Sequence, residues 1–291
     1  MAGRRHVAFE TAHASVPIAY FAGTILLALF ALQPVYVALS LAGALAYSLA
    51  CRGLRATALK LRWQLPMLAI VALANPLFSA QGTTLVLQLG FVRVYAESLA
   101  FGLTMGALLA ASVLWFENAA ATVSSESVLS LLGARMPVVS TMVVMVSQLV
   151  PQLMRRSRTV GGALDACTAA RTPAAAPHVR AARLPGVLMS WAMEDSLERS
   201  DAMRARAWGA SERRTTWRRQ DFRGRDAALL ACVLGLIALN ALLVALAMQA
   251  WWFYPTMAEL GWWWGYVPYA VLVLLPCALA TYDEMSWRSL S

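Results

Sequence analysis

Charge is scarce in this sequence. Of its 291 residues only 13 % are Asp, Glu, Lys or Arg, about half the share of an ordinary soluble domain, too few to cover the surface of a water-soluble globule. Lysine has all but vanished, Lys60 being the only one. A phosphate-binding loop of the form GxxxxGK[ST] puts a lysine after its second glycine. Lys60 stands in Ala58-Leu59-Lys60-Leu61, so nucleotide is not held in that manner. His6, His13 and His178 lie far apart, and none sits in an HExxH or Ser/His/Asp context, which removes the common hydrolase designs. Cys51, Cys167, Cys232 and Cys277 form no CxxC and read as buried free thiols, not as a zinc site or a disulfide framework. Acidic and basic residues are also missing from the middles of the apolar runs. Proton- or sodium-driven permeases normally need such groups, so that class is disfavoured.

What is abundant is hydrocarbon: 60 % of residues are hydrophobic and the mean hydropathy is +0.60. The composition is that of a polytopic membrane protein. A bilayer core of about 30 Å takes about 20 apolar residues of helix. Residues 17–32 and 34–50 fit as a helical hairpin joined at Gln33-Pro34, which stays in the membrane and is not a cleaved leader. Residues 63–79, 97–117, 227–250 and 265–282 complete six expected spans. The stretch from Cys51 to Arg62 carries four basic residues and no acid, which places it on the cytoplasmic side. Trp251-Trp252-Phe253-Tyr254 and Trp262-Trp263-Trp264 suit the outer interface, where an indole buries its ring and keeps its N–H wet.

The net charge of +9 is concentrated. Fifteen of the 24 basic residues lie between Arg155 and Arg225 against seven acids, an excess of eight. The positive-inside rule accounts for this block better than a nucleic-acid partner does. The expected fold is therefore an all-α integral membrane protein. It has an N-terminal membrane domain over residues 1–117, a cytoplasmic region of amphipathic helices over 118–226 between spans four and five, and a C-terminal membrane hairpin over 227–291. Both termini are cytoplasmic in this scheme, and the lipid bilayer is a partner throughout. The apolar stretch Met136 to Val150, about 15 residues bracketed by arginines, reads as a helix lying in or just under the membrane. Its methionines, Met142 and Met145, suit a face that repacks against a partner membrane subunit.

Within that region a stripe at Leu149, Leu153, Val160, Leu164 and Cys167 follows one face of a helix kinked at Pro151. Arg171 to Pro177 breaks it. A second helix is expected from Leu184 to Trp208, supported by Asp195 and Arg199 at i, i+4 and capped by Gly209. Glu194, Asp195 and Glu198 could serve a membrane-embedded enzyme acting on lipid or peptide. Arg199, Arg204 and Arg206 are interleaved with them, so a solvated, salt-bridged face is the better reading.

That second helix ends in Ser196-Leu197-Glu198-Arg199-Ser200-Asp201-Ala202-Met203-Arg204-Ala205-Arg206-Ala207-Trp208-Gly209-Ala210, ahead of Arg213-Arg214-Thr215. Here the chain resembles the transmembrane coupling (T) component of energy-coupling factor transporters, whose cytoplasmic helices end in Ala-Arg-Gly motifs. The likeness extends through His13 to Tyr20, Gln33-Pro34-Val35-Tyr36, Asn75-Pro76-Leu77-Phe78, Gln81-Gly82-Thr83-Thr84, Leu114-Trp115-Phe116, Val150-Pro151 and Trp191-Ala192-Met193-Glu194. It covers about residues 10 to 226 and weakens over the last two spans.

The resemblance implies a scaffold in an ABC-type importer. Two cytoplasmic ATPase subunits, identical or different, and a small membrane subunit that captures a vitamin or other micronutrient would be its partners. It implies no catalytic, cofactor or metal site in this chain. Ala205, Arg206 and Ala207, with Arg204 and Gly209, would form the ATPase-coupling site. Two departures stand out. Ala207 occupies the place where the family commonly has glycine. The first Ala-Arg-Gly motif falls near residues 163–168 with Cys167 at its arginine position, which leaves Arg171, one turn on, as the substitute.

Overall fold

The computed structural model of the chain describes residues 9, 12–78, 82–89, 92–169, 177–210, 222–254, 257–258 and 261–288. It is a multi-pass membrane protein of the all-α class. Among the described residues, five helices are long and apolar enough to cross a membrane: Pro34–Arg52, Leu54–Asn75, Ala96–Thr122, Pro137–Leu164 and Gly224–Gln249. The apolar helices Ser15–Phe30 and Tyr266–Thr281 are shorter. In chain order the elements are α1 (Ser15–Phe30), α2 (Pro34–Arg52), α3 (Leu54–Phe78), β1 (Leu85–Leu89), β2 (Val92–Tyr95), α4 (Ala96–Thr122), α5 (Ser125–Arg135), α6 (Pro137–Ala169), α7 (Pro177–Ala205), α8 (Gly224–Gln249) and α9 (Tyr266–Arg288). They fall into two compact units. One comprises Met1–Val128 with Gln220–Ser291, the other Leu129–Arg219.

Three expectations are corrected by this layout. The basic stretch expected to connect spans two and three is helical apart from Gly53, and α3 starts at Leu54. Arginine and lysine are good helix formers, so their charge sets how deep the helix lies without ending it. The stretch Met136 to Val150, expected to lie in or just under the membrane as about 15 residues, belongs to one 33-residue helix that runs through Pro151 as expected, and the Pro137–Leu164 part of that helix has the length and composition of a crossing. α7 begins at Pro177, seven residues earlier than expected. Proline is tolerated at the first helical position, and the helix goes on through Pro185. The loop expected after Gly82 also holds a short antiparallel hairpin, Leu85 pairing with Tyr95 and Leu89 with Val92.

The first unit packs α1, α2, α4, α8 and α9 around buried aromatics. Tyr20, Tyr47, Trp115 and Tyr269 are fully enclosed, and Phe21 nearly so. Tyr20 meets Trp115 edge-on with ring centroids 6.3 Å apart, and Tyr36 meets Tyr269 at 5.0 Å. Helices in lipid gain little from the hydrophobic effect between themselves, so polar bonds across the bundle matter. The Tyr20 hydroxyl donates to the Leu272 carbonyl at 3.0 Å and the Trp115 indole N–H to Ser40 Oγ at 3.0 Å. Asn118 Nδ2 donates to the Ala44 carbonyl at 2.9 Å, and Asn240 Nδ2 reaches the carbonyls of Leu236 and Pro268 at 2.8 and 3.3 Å. Asn240, a polar residue inside an apolar run, thus bonds α8 to α9.

Acidic residues at helix ends are tied down. Glu117 near the end of α4 accepts from Arg52 at 3.0 Å and Lys60 at 2.6 Å, which joins α2, α3 and α4 at one point. Arg52 also donates to the Glu117 carbonyl. Glu97 in the first turn of α4 accepts from the hydroxyls of Thr83 (3.0 Å) and Thr84 (2.7 Å). Asp226 in the first turn of α8 accepts from the backbone N–H groups of Arg223 (3.1 Å) and His13 (3.2 Å). Removing the Glu117 carboxylate would leave two half-buried cations facing each other. Glu117→Ala should therefore cost about 1 to 2 kcal/mol. A drop in the thermal midpoint of the detergent-solubilised chain, larger than for Lys60→Ala, checks this.

Candidate functional site

In the second unit, α6 and α7 lie against each other. Their contact is pinned by Arg199, which donates to Gln152 of α6 and pairs with Asp195 at 2.7 Å, and by the Arg156 guanidinium, 4.3 Å from the centre of the Trp191 ring. The i, i+4 pair read from the sequence forms. Glu194 and Glu198 are exposed, and Asp195 is engaged by Arg199. Among the described residues no group of three His, Cys, Asp or Glu side chains is placed to hold a metal ion.

The end of α7 has a defined geometry. The last helical residue is Ala205, Ala207 has φ 58° and Gly209 has φ 84°. The Ala207 N–H bonds to the Arg204 carbonyl at 2.9 Å, and the Trp208 N–H bonds to the Met203 carbonyl at 3.0 Å. These are the paired 5→2 and 6→1 bonds of a Schellman motif, in which the residue just beyond the cap turns left-handed and the next one folds an apolar side chain back over the helix. Met203 and Trp208 supply that apolar pair, lining one cavity together. Arg206 is the cap residue itself. Its side chain is exposed and has no hydrogen-bond or ion-pair partner among the described residues. Arg204 and Arg206 both sit where a helix end is electronegative, which favours cations by about 0.3–1 kcal/mol each.

This geometry gives the Ala-Arg-x pattern a physical meaning. The third position is the left-handed one, which is glycine's natural place. An alanine there brings Cβ against the following carbonyl oxygen, at a cost of about 1–2 kcal/mol. Gly209, expected as the cap, lies two residues further on. Ala207→Gly is expected to firm up the helix end by about 1 kcal/mol, read as slower hydrogen exchange at the Ala207 and Trp208 amides. Ala207→Val should instead open the turn, because a β-branched residue resists positive φ.

Next to this end, Met145, Val146 and Leu149 of α6 face Ser196, Arg199 and Met203 of α7 across a cavity of about 460 Å³, with Arg204 and Trp208 at its border. Of the two methionines expected on one partner-facing stripe, Met145 lines the cavity and Met142 is exposed on α6. Ala205, Arg206, Ala207 and Gly209 are all exposed. The side chain of Cys167, and Arg171 altogether, fall outside the described residues. Sequence reasoning missed the Schellman turn and the cavity. The one available signal was Met203 and Trp208 at i, i+5 around Arg206.

Compared with known proteins, the chain matches no family model and no curated protein sequence.

Proposed function

We propose that the chain is the transmembrane coupling scaffold of an energy-coupling-factor type ABC importer. Two cytoplasmic ATPase subunits would drive it, and a separate small membrane subunit would capture the cargo, a vitamin or other micronutrient. The chain itself would neither hydrolyse ATP nor hold the cargo. The observation that carries this reading is the end of α7. An exposed arginine, unpaired among the described residues, stands at the cap of a helix whose last turn is closed by two backbone bonds and an apolar lid. A helix that transmits force needs such an end. The turn fixes the direction of the Arg206 stem, and the guanidinium presents a planar fork to a carboxylate on a partner. The small neighbours Ala205 and Ala207 let a partner groove come close.

Purification of the tagged chain in mild detergent tests the reading. It predicts that an ATPase pair and one small hydrophobic membrane protein are retained. Recovery of the chain alone, from cells in which those subunits are intact and abundant, would exclude it. The same reading places both termini and residues 155–225 in the cytoplasm, with Trp251 to Trp264 outside. Arg180→Cys should then react with a membrane-impermeant thiol reagent only after the cells are opened.

A further inference from the structure

The cavity between α6 and α7 has two kinds of wall. Met145, Val146 and Leu149 of α6 make one side hydrocarbon, and Met203 adds to it from α7. On the other, Ser196, Arg199, Ser200 and Arg204 follow one face of α7 at steps of three, one and four, and among the described residues no carboxylate lines the space. The two arginines differ. Arg199 is neutralised by Asp195 and bonded to Gln152. Arg204 has no partner among the described residues and borders the cavity. Trp208 closes the same end, with an indole suited to a boundary between hydrocarbon and polar groups.

We infer that this cavity is a binding site for one anionic phospholipid. Its phosphate would sit against Arg204 and the Ser200 hydroxyl, and the first part of an acyl chain would lie along Val146 and Leu149. The two walls select this occupant. A free inorganic anion would use the cation and leave the hydrocarbon wall wet. A neutral lipid would fill the apolar side and leave Arg204 unmatched. The cavity's volume of about 460 Å³ lies in the range of small-molecule sites, about 300–1,000 Å³. Basic pockets between membrane helices commonly hold anionic headgroups. The inference does not depend on the coupling role: a bound lipid here would brace the α6–α7 pair whatever its end engages.

The test uses the full chain, stripped of lipid in a neutral detergent and then mixed with phosphatidylglycerol, phosphatidylcholine or inorganic phosphate. Bound lipid is counted by native mass spectrometry, and protection is read from the thermal midpoint. Phosphatidylglycerol should be retained at least about fivefold better than phosphatidylcholine, as one membrane-proximal cation supplies, and phosphate alone should not protect. Arg204→Ala should lower phosphatidylglycerol retention to the phosphatidylcholine level, with no more loss of the lipid-free midpoint than a helix-end cation accounts for. Leu149→Gln should weaken both lipids while sparing the preference between them. Arg158→Ala, an exposed arginine on α6 outside the cavity, should change neither. Equal retention of both lipids, full protection by inorganic phosphate, or an equal loss from Arg158→Ala would overturn the inference. So would a failure to retain lipid combined with crosslinking of Ala192→Cys to a partner's helix in cells, which would make the cavity a protein-docking groove.

Discussion

Replacing Gly106 or Gly102 by leucine should strongly destabilise the first unit. α3 and α4 pack with almost no side-chain spacing along one stretch. A Cβ at Gly102 would stand 2.7 Å from the Ala72 carbonyl oxygen, and one at Gly106 would stand 2.9 Å from the Leu68 carbonyl oxygen. The two glycines are four residues apart, the small-xxx-small spacing by which membrane helices bring their backbones together. What a new side chain meets here is backbone, which cannot swing aside. Gly106→Leu therefore has to push the helices apart, at a cost of about 3 kcal/mol. Gly235→Ala in α8 is the control, because a Cβ there meets nothing within 4 Å. The thermal midpoint in detergent should fall for Gly106→Leu and Gly102→Leu and hold for Gly235→Ala.

The largest effect on function is expected at Arg206. A hydrogen bond to a charged group buried at an interface is worth about 1.5–3 kcal/mol, and a carboxylate left behind without its partner costs as much again. Arg206→Ala should reduce ATPase association or uncouple hydrolysis from uptake, while the membrane helices stay folded. Arg206→Lys should rescue only part, since an ammonium keeps the charge and loses the fork. Arg213→Ala and Arg214→Ala share the basic neighbourhood and lie outside the motif, so they should leave uptake near normal. If all three arginines mattered equally, the charge would be acting as a diffuse field toward lipid.

How far the sequence disclosed this arrangement depended on what kind of signal each feature leaves. Apolar length is plain, so α2, α4 and α8 lie close to the runs expected for them. Helix ends are less so, because the residues that end a span need not end a helix. The arginines at 155, 156 and 158 marked the polar limit of an apolar run, yet α6 carries them for another three turns and uses Arg156 to stack on Trp191. The point where Glu117 gathers Arg52 and Lys60 joins residues 57 and 65 positions apart, and no local pattern announces it. The arginine proposed for the coupling contact is marked in the sequence by its motif. The turn that aims it was hidden, because alanine at position 207 conceals a left-handed residue that glycine would have betrayed.

The central claim, that the end of α7 is an ATPase-coupling contact, is tested most directly by crosslinking from Ala205→Cys, an exposed position one residue before Arg206, in the intact membrane. The account predicts an adduct that contains an ATPase subunit, formed through turnover and sharply reduced when Arg206→Ala is added. Adducts confined to this chain or to lipid, obtained while the ATPases remain bound to the complex, would contradict it.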